Sequence, residues 1–237
     1  MNIILEKIDT ILFDLDGTLI DSAPDMSAAV NATMRELDKP EHSLEQITQW
    51  VGNGSKMLLT RALAGKFDAE IDEQTLKGIL PLFFQHYREN LCTSSQIYNG
   101  VLPALLELQK IGIKMACVTN KPIQFAEPVL AKLQLDQFMP VIVGGGSLPQ
   151  LKPDPEPLFF ACELLGINEK VRNQTVLMVG DSSSDMKAAK AAGMQSIAVD
   201  YGYSQGANLL ELGALKMISD MRELPALLNA SMGILNY

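Results

Sequence analysis

The sequence predicts an α/β fold, a doubly wound parallel sheet with an all-helical insertion, and three observations carry that expectation. Short apolar runs alternate with helical patterns of about a dozen residues, as βαβ crossovers require. That alternation stops between residue 22 and about residue 95, where only helical periodicity is found. The chain has 237 residues, between one and two domains at roughly 150 residues each. The expected division is an α/β core domain of residues 1–20 and 96–237 and a helical cap domain of residues 21–95.

The elements follow in order. Residues 10–15 read as a buried strand, because Ile11, Leu12, Phe13 and Leu15 suit a strand covered on both faces. A helix opens near Pro24, a favoured first helical position, and sets Met26, Ala29, Val30, Met34 and Leu37 on one stripe. Trp50 to Gly54 reads as a tight turn exposing backbone. A later helix places Leu76, Ile79, Leu80, Phe83, Phe84 and Tyr87 on one face, with a kink expected at Pro81. Further strands are predicted at 114–119, 140–144, 175–180 and 195–199, and helices at 122–133, 155–165 and 183–192. Gly144 to Gly146 reads as a flexible loop, since it lacks the spacing of a dinucleotide fingerprint.

Composition narrows the function classes. At 47% hydrophobic and 20% charged residues the chain is an ordinary globular protein. Nineteen Lys and Arg against 28 Asp and Glu leave −9, which argues against nucleic acid or an anionic membrane as a partner. No apolar run reaches the 18 residues of a membrane span and the amino terminus lacks a basic leader, so a cytoplasmic protein is expected. Cys92, Cys117 and Cys162 form no CxxC and suggest neither a disulfide framework nor zinc. His42 and His86 lie away from every strand end.

In an open parallel sheet, ligands bind beyond the carboxyl ends of the strands. There the sequence places Asp14, Asp16 and Thr18; Thr119 and Asn120; Lys152; and Asp181, with Asp185 one helical turn on. Two carboxylates about 4 Å apart repel by about 4 kcal/mol at an effective dielectric near 20. A gathering of Asp14, Asp16 and Asp181 therefore calls for a cation or a held proton, and an oxygen-only donor set favours Mg²⁺ over Zn²⁺. Such a site suits a phosphorylated substrate. Asp14 would be the nucleophile, forming an aspartyl phosphate, and Asp16 the acid that protonates the leaving oxygen and then the base that activates water. The Thr119 hydroxyl and nearby backbone N–H groups would bind phosphoryl oxygens, and Lys152 would add a fixed positive charge. Ser182 to Ser184 and Asp185 also fit a helix cap, so Asp185 is open to either role.

Asp14-x-Asp-Gly-Thr18, Thr119-Asn120, Lys152-Pro-Asp-Pro and Gly180-Asp-x-x-x-Asp185 resemble, in order, the four motifs of the haloacid dehalogenase-like superfamily. The resemblance implies a Rossmann-like core, Mg²⁺ held by Asp14, Asp181 and the backbone carbonyl of Asp16, a supporting role for Asp185, and a helical cap inserted after the first motif. Asp21-Ser-Ala-Pro-Asp25, Trp50 to Gly54, Arg61-Ala-Leu63, Ser147 to Gln150 and Tyr201-Gly-Tyr203 look, more narrowly, like bacterial phosphoglycolate phosphatases, with departures at Gly146, Leu151 and Ser183. That likeness implies hydrolysis of a small phosphorylated metabolite, 2-phosphoglycolate first, by a monomer or homodimer. Because phosphoglycolate carries a carboxylate, the turn Gly52, Asn53 and Gly54, with Arg61 or Lys56 beside it, is expected to supply a contact for it. The alternatives are another small phosphomonoester or pyrophosphate as substrate, a sugar-phosphate mutase, a signalling receiver, and a non-catalytic phosphate-binding module. A receiver is opposed by length and by the order of its acidic residues.

Overall fold

The computed structural model describes residue 5 and residues 7–231. A six-stranded sheet of β1 (Thr10–Phe13), β4 (Lys114–Pro122), β5 (Val141–Gly145), β6 (Val176–Gly180), β7 (Gln195–Val199) and β8 (Lys216–Ile218) runs in the order β5-β4-β1-β6-β7-β8, every pair parallel. Successive strand residues face opposite ways, and each face has its own core. Ile11, Phe13, Cys117 and Val179 join α5 (Val101–Lys110), α6 (Ile123–Lys132) and α10 (Glu223–Ser231) on one side; Leu12, Val118 and Met178 join α7 (Glu156–Leu164) and α9 (Ser183–Ala192) on the other. The short α8 (Arg172–Thr175) leads into β6. This is the doubly wound α/β sheet that the alternation predicts.

A two-stranded antiparallel ladder joins β2 (Ile20–Asp21) to β3 (Gln96–Ile97), pairing Ile20 with Ile97 and Asp21 with Gln96. Between these strands lie α1 (Ala23–Glu36), α2 (Leu44–Trp50), α3 (Ser55–Ala64) and α4 (Glu73–Glu89), with their own core that takes in Phe125 and Tyr203 from the sheet side. α2 opens with a capping box between Ser43 and Gln46, and α3 ends on Gly65 in the left-handed region, so both helices have defined ends. α4 continues through Pro81.

Three features differ from the sequence expectation. β2, β3 and β8 were not foreseen. β4 runs on past Thr119 to Pro122, with a register shift against β5 between Val118 and Pro122. Gly144 and Gly145 are not a flexible loop; they sit in β5, and a Cβ on either would press within 3.0 Å of the Asn120 to Ile123 backbone. Bulges of this kind re-aim side chains beside functional sites, and here the irregular stretch is the one carrying Thr119, Asn120 and Lys121.

Candidate active site

β1 and β6 are neighbours in register, Phe13 opposite Val179, so the residues that follow them meet. Asp14 directs its N–H to the Val179 carbonyl at 2.9 Å. The chain then turns at Gly17, whose φ of +88° suits glycine and whose missing Cβ leaves room for the Asp181 carboxylate. Gly180 does the same for Asp185. Asp14, Asp181 and Asp185 thus offer carboxylate oxygens all within 4.8 Å of one another, and they are 7%, 1% and 0% exposed. At that separation each pair repels by about 3 to 4 kcal/mol at an effective dielectric near 20.

Among the described residues, one cation touches this trio. Lys152 Nζ donates to Asp14 Oδ1 at 2.9 Å, Asp185 Oδ1 at 2.6 Å and the Val118 carbonyl at 2.5 Å. Its loop is held by Asn120, which accepts from the Lys152 N–H and donates to the Lys152 carbonyl. Burial works against the lysine's charge, but Asp14 and Asp185 outweigh it and hold the ammonium above its usual value. Burial pushes the Asp14 carboxyl up to about 6 even though Lys152 opposes the shift. Asp181 is raised well above the ordinary carboxylate range, by burial first and by Asp14 and Asp185 next. Three buried carboxylates served by one ammonium remain under-neutralised. A hard divalent cation with all-oxygen ligands fits that donor set.

Asp185 serves two purposes. One oxygen completes a capping box with Ser182 at the start of α9, and the other accepts from Lys152. Asp16, by contrast, does not place its carboxylate in the trio, as the sequence reading had grouped it. Its Oδ1 accepts from Ser22 Oγ at 2.5 Å and from Lys121 Nζ at 2.9 Å, and Lys121 also reaches Oδ2 at 3.2 Å. Lys121 in turn donates to the Tyr87 hydroxyl of α4 at 2.5 Å. Lys121 is the residue that sequence reasoning missed; its place directly after Thr119-Asn120 at a strand end was the available signal.

Asp14, Asp16, Thr119, Asn120, Lys121 and Lys152 form the floor of a cavity. The helical insertion roofs it with Met26, Val51, Leu58, Phe83, Gly52, Gly54 and Ser55. Other expected contacts go elsewhere. Arg61 is 6% exposed, but its guanidinium donates to the Trp50 and Phe67 carbonyls and lies over the Phe67 ring, so it braces the insertion and does not line the cavity. Lys56 is exposed. Thr18 is fully buried, spends its hydroxyl on Asp181 Oδ1 at 3.1 Å and does not line the cavity. Asn53 donates to Ser184 Oγ at 3.1 Å, tying the roof turn to α9. His42 and His86 bond within the insertion, to Ala62 and Glu36.

Residues 11–199 match the model of the haloacid dehalogenase-like hydrolases. The chain belongs to the haloacid dehalogenase-like hydrolase family. A phosphoglycolate phosphatase of Colwellia psychrerythraea strain 34H is 42% identical over 211 residues, spanning 88% of this chain and 92% of its own. One from Nitrosospira multiformis is 38% identical over 224 residues, spanning 94% and 97%. The crystal structure of a predicted phosphoglycolate phosphatase from Haemophilus somnus 129PT superimposes with a TM-score of 0.81 at 32% identity, covering 92% of this chain and 96% of that one. Among these haloacid dehalogenase-like hydrolases the present chain is a phosphoric monoester hydrolase. None of its described helices is long and apolar enough to cross a membrane.

Proposed function

We propose that the protein hydrolyses 2-phosphoglycolate to glycolate and phosphate with Mg²⁺, through an aspartyl phosphate on Asp14. The observation that carries this reading is the buried, under-neutralised carboxylate trio, whose Asp14 lines a cavity with an apolar roof. The names of the relatives support the substrate.

In this reading a carboxylate oxygen of Asp14 attacks phosphorus while the bond to the ester oxygen breaks, and Asp16 delivers a proton to that oxygen. Water then attacks the aspartyl phosphate, Asp16 takes its proton, and phosphate leaves. Lys152 orients Asp14 through the 2.9 Å contact and adds positive charge near the transferring group. The Thr119 hydroxyl and backbone N–H groups at the end of β4 bind phosphoryl oxygens. Asp14, Asp181 and the main-chain oxygen of Asp16 would hold Mg²⁺, with Asp185 supporting them; bound there, the ion supplies charge neutralisation for the carboxylates and the phosphoryl group. Met26, Leu58 and Phe83 exclude water above the reacting centre and offer no partner for the hydroxyls of a sugar phosphate.

The test is phosphate release across a panel of small phosphomonoesters. We expect 2-phosphoglycolate to give the highest kcat/KM, with EDTA removing activity and Mg²⁺ restoring it. Isomerisation of glucose 1-phosphate with little free phosphate would instead mark a mutase.

A further inference from the structure

We propose that Lys121 is the specificity residue of this site, its ammonium holding a carboxylate on the carbon next to the phosphorylated oxygen, so that the substrate class is the 2-phosphonooxy carboxylates. The inference rests on the function proposed above and deepens it.

A substrate with a phosphate and a carboxylate brings a second anion into a cavity walled by buried side chains, where an unpaired charge is costly. The lysines and arginines lining the cavity, among the described residues, are Lys121 and Lys152 alone. Lys152 is committed to Asp14, Asp185 and the Val118 carbonyl. The two basic residues of the insertion that the sequence suggested do not line it: Arg61 is turned to backbone carbonyls and Lys56 faces solvent. Lys121 remains. It is 5% exposed, yet it lines the cavity.

Its hydrogen bonds leave room for a ligand. An ammonium has three protons. Asp16 Oδ1 at 2.9 Å and the Tyr87 hydroxyl at 2.5 Å take two of them. The contact to Oδ2 at 3.2 Å is a second, longer arm to a carboxylate already served. Turning that proton to a substrate oxygen gives up only the longer arm and gains a charge-assisted bond.

Reach sets which carboxylate fits. Asp16 must touch the ester oxygen to protonate it, and Lys121 Nζ stands 2.9 Å from Asp16 Oδ1. Two hydrogen-bond lengths through Asp16 keep Nζ within about 6 Å of the ester oxygen, so a short substrate brings its carboxylate within reach of the ammonium. A carboxylate on the adjacent carbon meets this condition with the fewest bond rotations to fix, which favours it over one a carbon farther. Tyr87 keeps the ammonium aimed, because its ring is stacked on Phe83 and set edge-on to Phe125.

The experiment measures kcat/KM with Mg²⁺ for 2-phosphoglycolate, for its neutral isostere 2-hydroxyethyl phosphate, and for 3-phosphonooxypropanoate. Wild type should favour 2-phosphoglycolate over both others by at least about tenfold. Lys121→Met should reduce the preference over 2-hydroxyethyl phosphate by at least about tenfold, while Lys121→Arg keeps part of it. If Lys121→Met loses the same factor on 2-phosphoglycolate and 2-hydroxyethyl phosphate, Lys121 only positions Asp16 and the proposal fails, with the proposed function intact. If wild type hydrolyses all three esters alike, the proposal and the choice of 2-phosphoglycolate fall together. The wild-type series needs no variant to fold.

Discussion

Asp14 sets stability against chemistry. Its carboxyl is raised to about 6 from 3.8, so in the metal-free protein the stability associated with its neutral form is complete below about pH 4 and is lost as pH rises through 6. The loss amounts to about 3 kcal/mol at most. Metal-free Asp14→Asn should therefore gain on wild type by up to that amount between pH 4 and 7 in urea titrations, while its phosphate release with Mg²⁺ falls by at least about a thousandfold. A stability difference that stays flat over this range would contradict the argument. Arg61→Ala should do the opposite: KM for 2-phosphoglycolate unchanged, stability lower by about 1 to 3 kcal/mol, because two carbonyls and the Phe67 ring lose their partner. Both residues were singled out in the sequence, but only Asp14 could be placed from it. A carboxylate that follows an apolar strand has its position fixed by the sheet. A guanidinium on an amphipathic helix can turn to cavity or backbone, and periodicity does not say which. Lys121 escaped notice for a related reason, since its partners Asp16 and Tyr87 are distant in sequence and meet it only in the folded chain.

At the scale of elements, the end of β4 matters most. Its register shift against β5 aims Thr119, Asn120 and Lys121 into the cavity, and Gly144 and Gly145 make the shift possible by letting β5 lie against the Asn120 to Ile123 backbone. Gly144→Ala would put a Cβ 2.9 Å from the Lys121 carbonyl. We expect it to cost about 1 to 3 kcal/mol, and to lower kcat as well by displacing three cavity residues at once; an unchanged kcat in a destabilised variant would show that the bulge does not position them. The long apolar runs were legible as strands because burial on both faces demands them. The glycines were misread as a loop because the backbone packed on them is invisible in a local window. β2 and β3 have two residues each and β8 has three, with Met217 exposed, so none offers a pattern to find.

Taken whole, the molecule concentrates its acidity. A net charge of −9 argues against polyanionic partners, but the carboxylates of Asp14, Asp181 and Asp185 lie together beyond the carboxyl ends of β1 and β6, where a cation could neutralise them beside a small anion. The helical insertion joins the sheet through two strands bound to each other. The Tyr203 hydroxyl accepts from the Ser22 and Ala23 N–H groups and donates to Asp21, and Asp25 accepts from the Thr93, Ser94 and Ser95 N–H groups. The exit and the return of the chain are thereby fastened side by side. Because Asp21 and Gln96 already face each other as ladder partners, residues 22–95 could be exchanged for a two-residue Asn-Gly turn without stretching the sheet. With Phe125 made polar, since it would lose its cover, such a minimal chain should keep the thermal transition of an α/β domain and slow hydrolysis of an activated ester, but no preference for 2-phosphoglycolate; an unfolded product would show that the insertion is needed to hold the sheet. To the sheet, the whole roof is one long hairpin loop, so a different roof could be grafted on the same two residues and would bring a new substrate to unchanged chemistry.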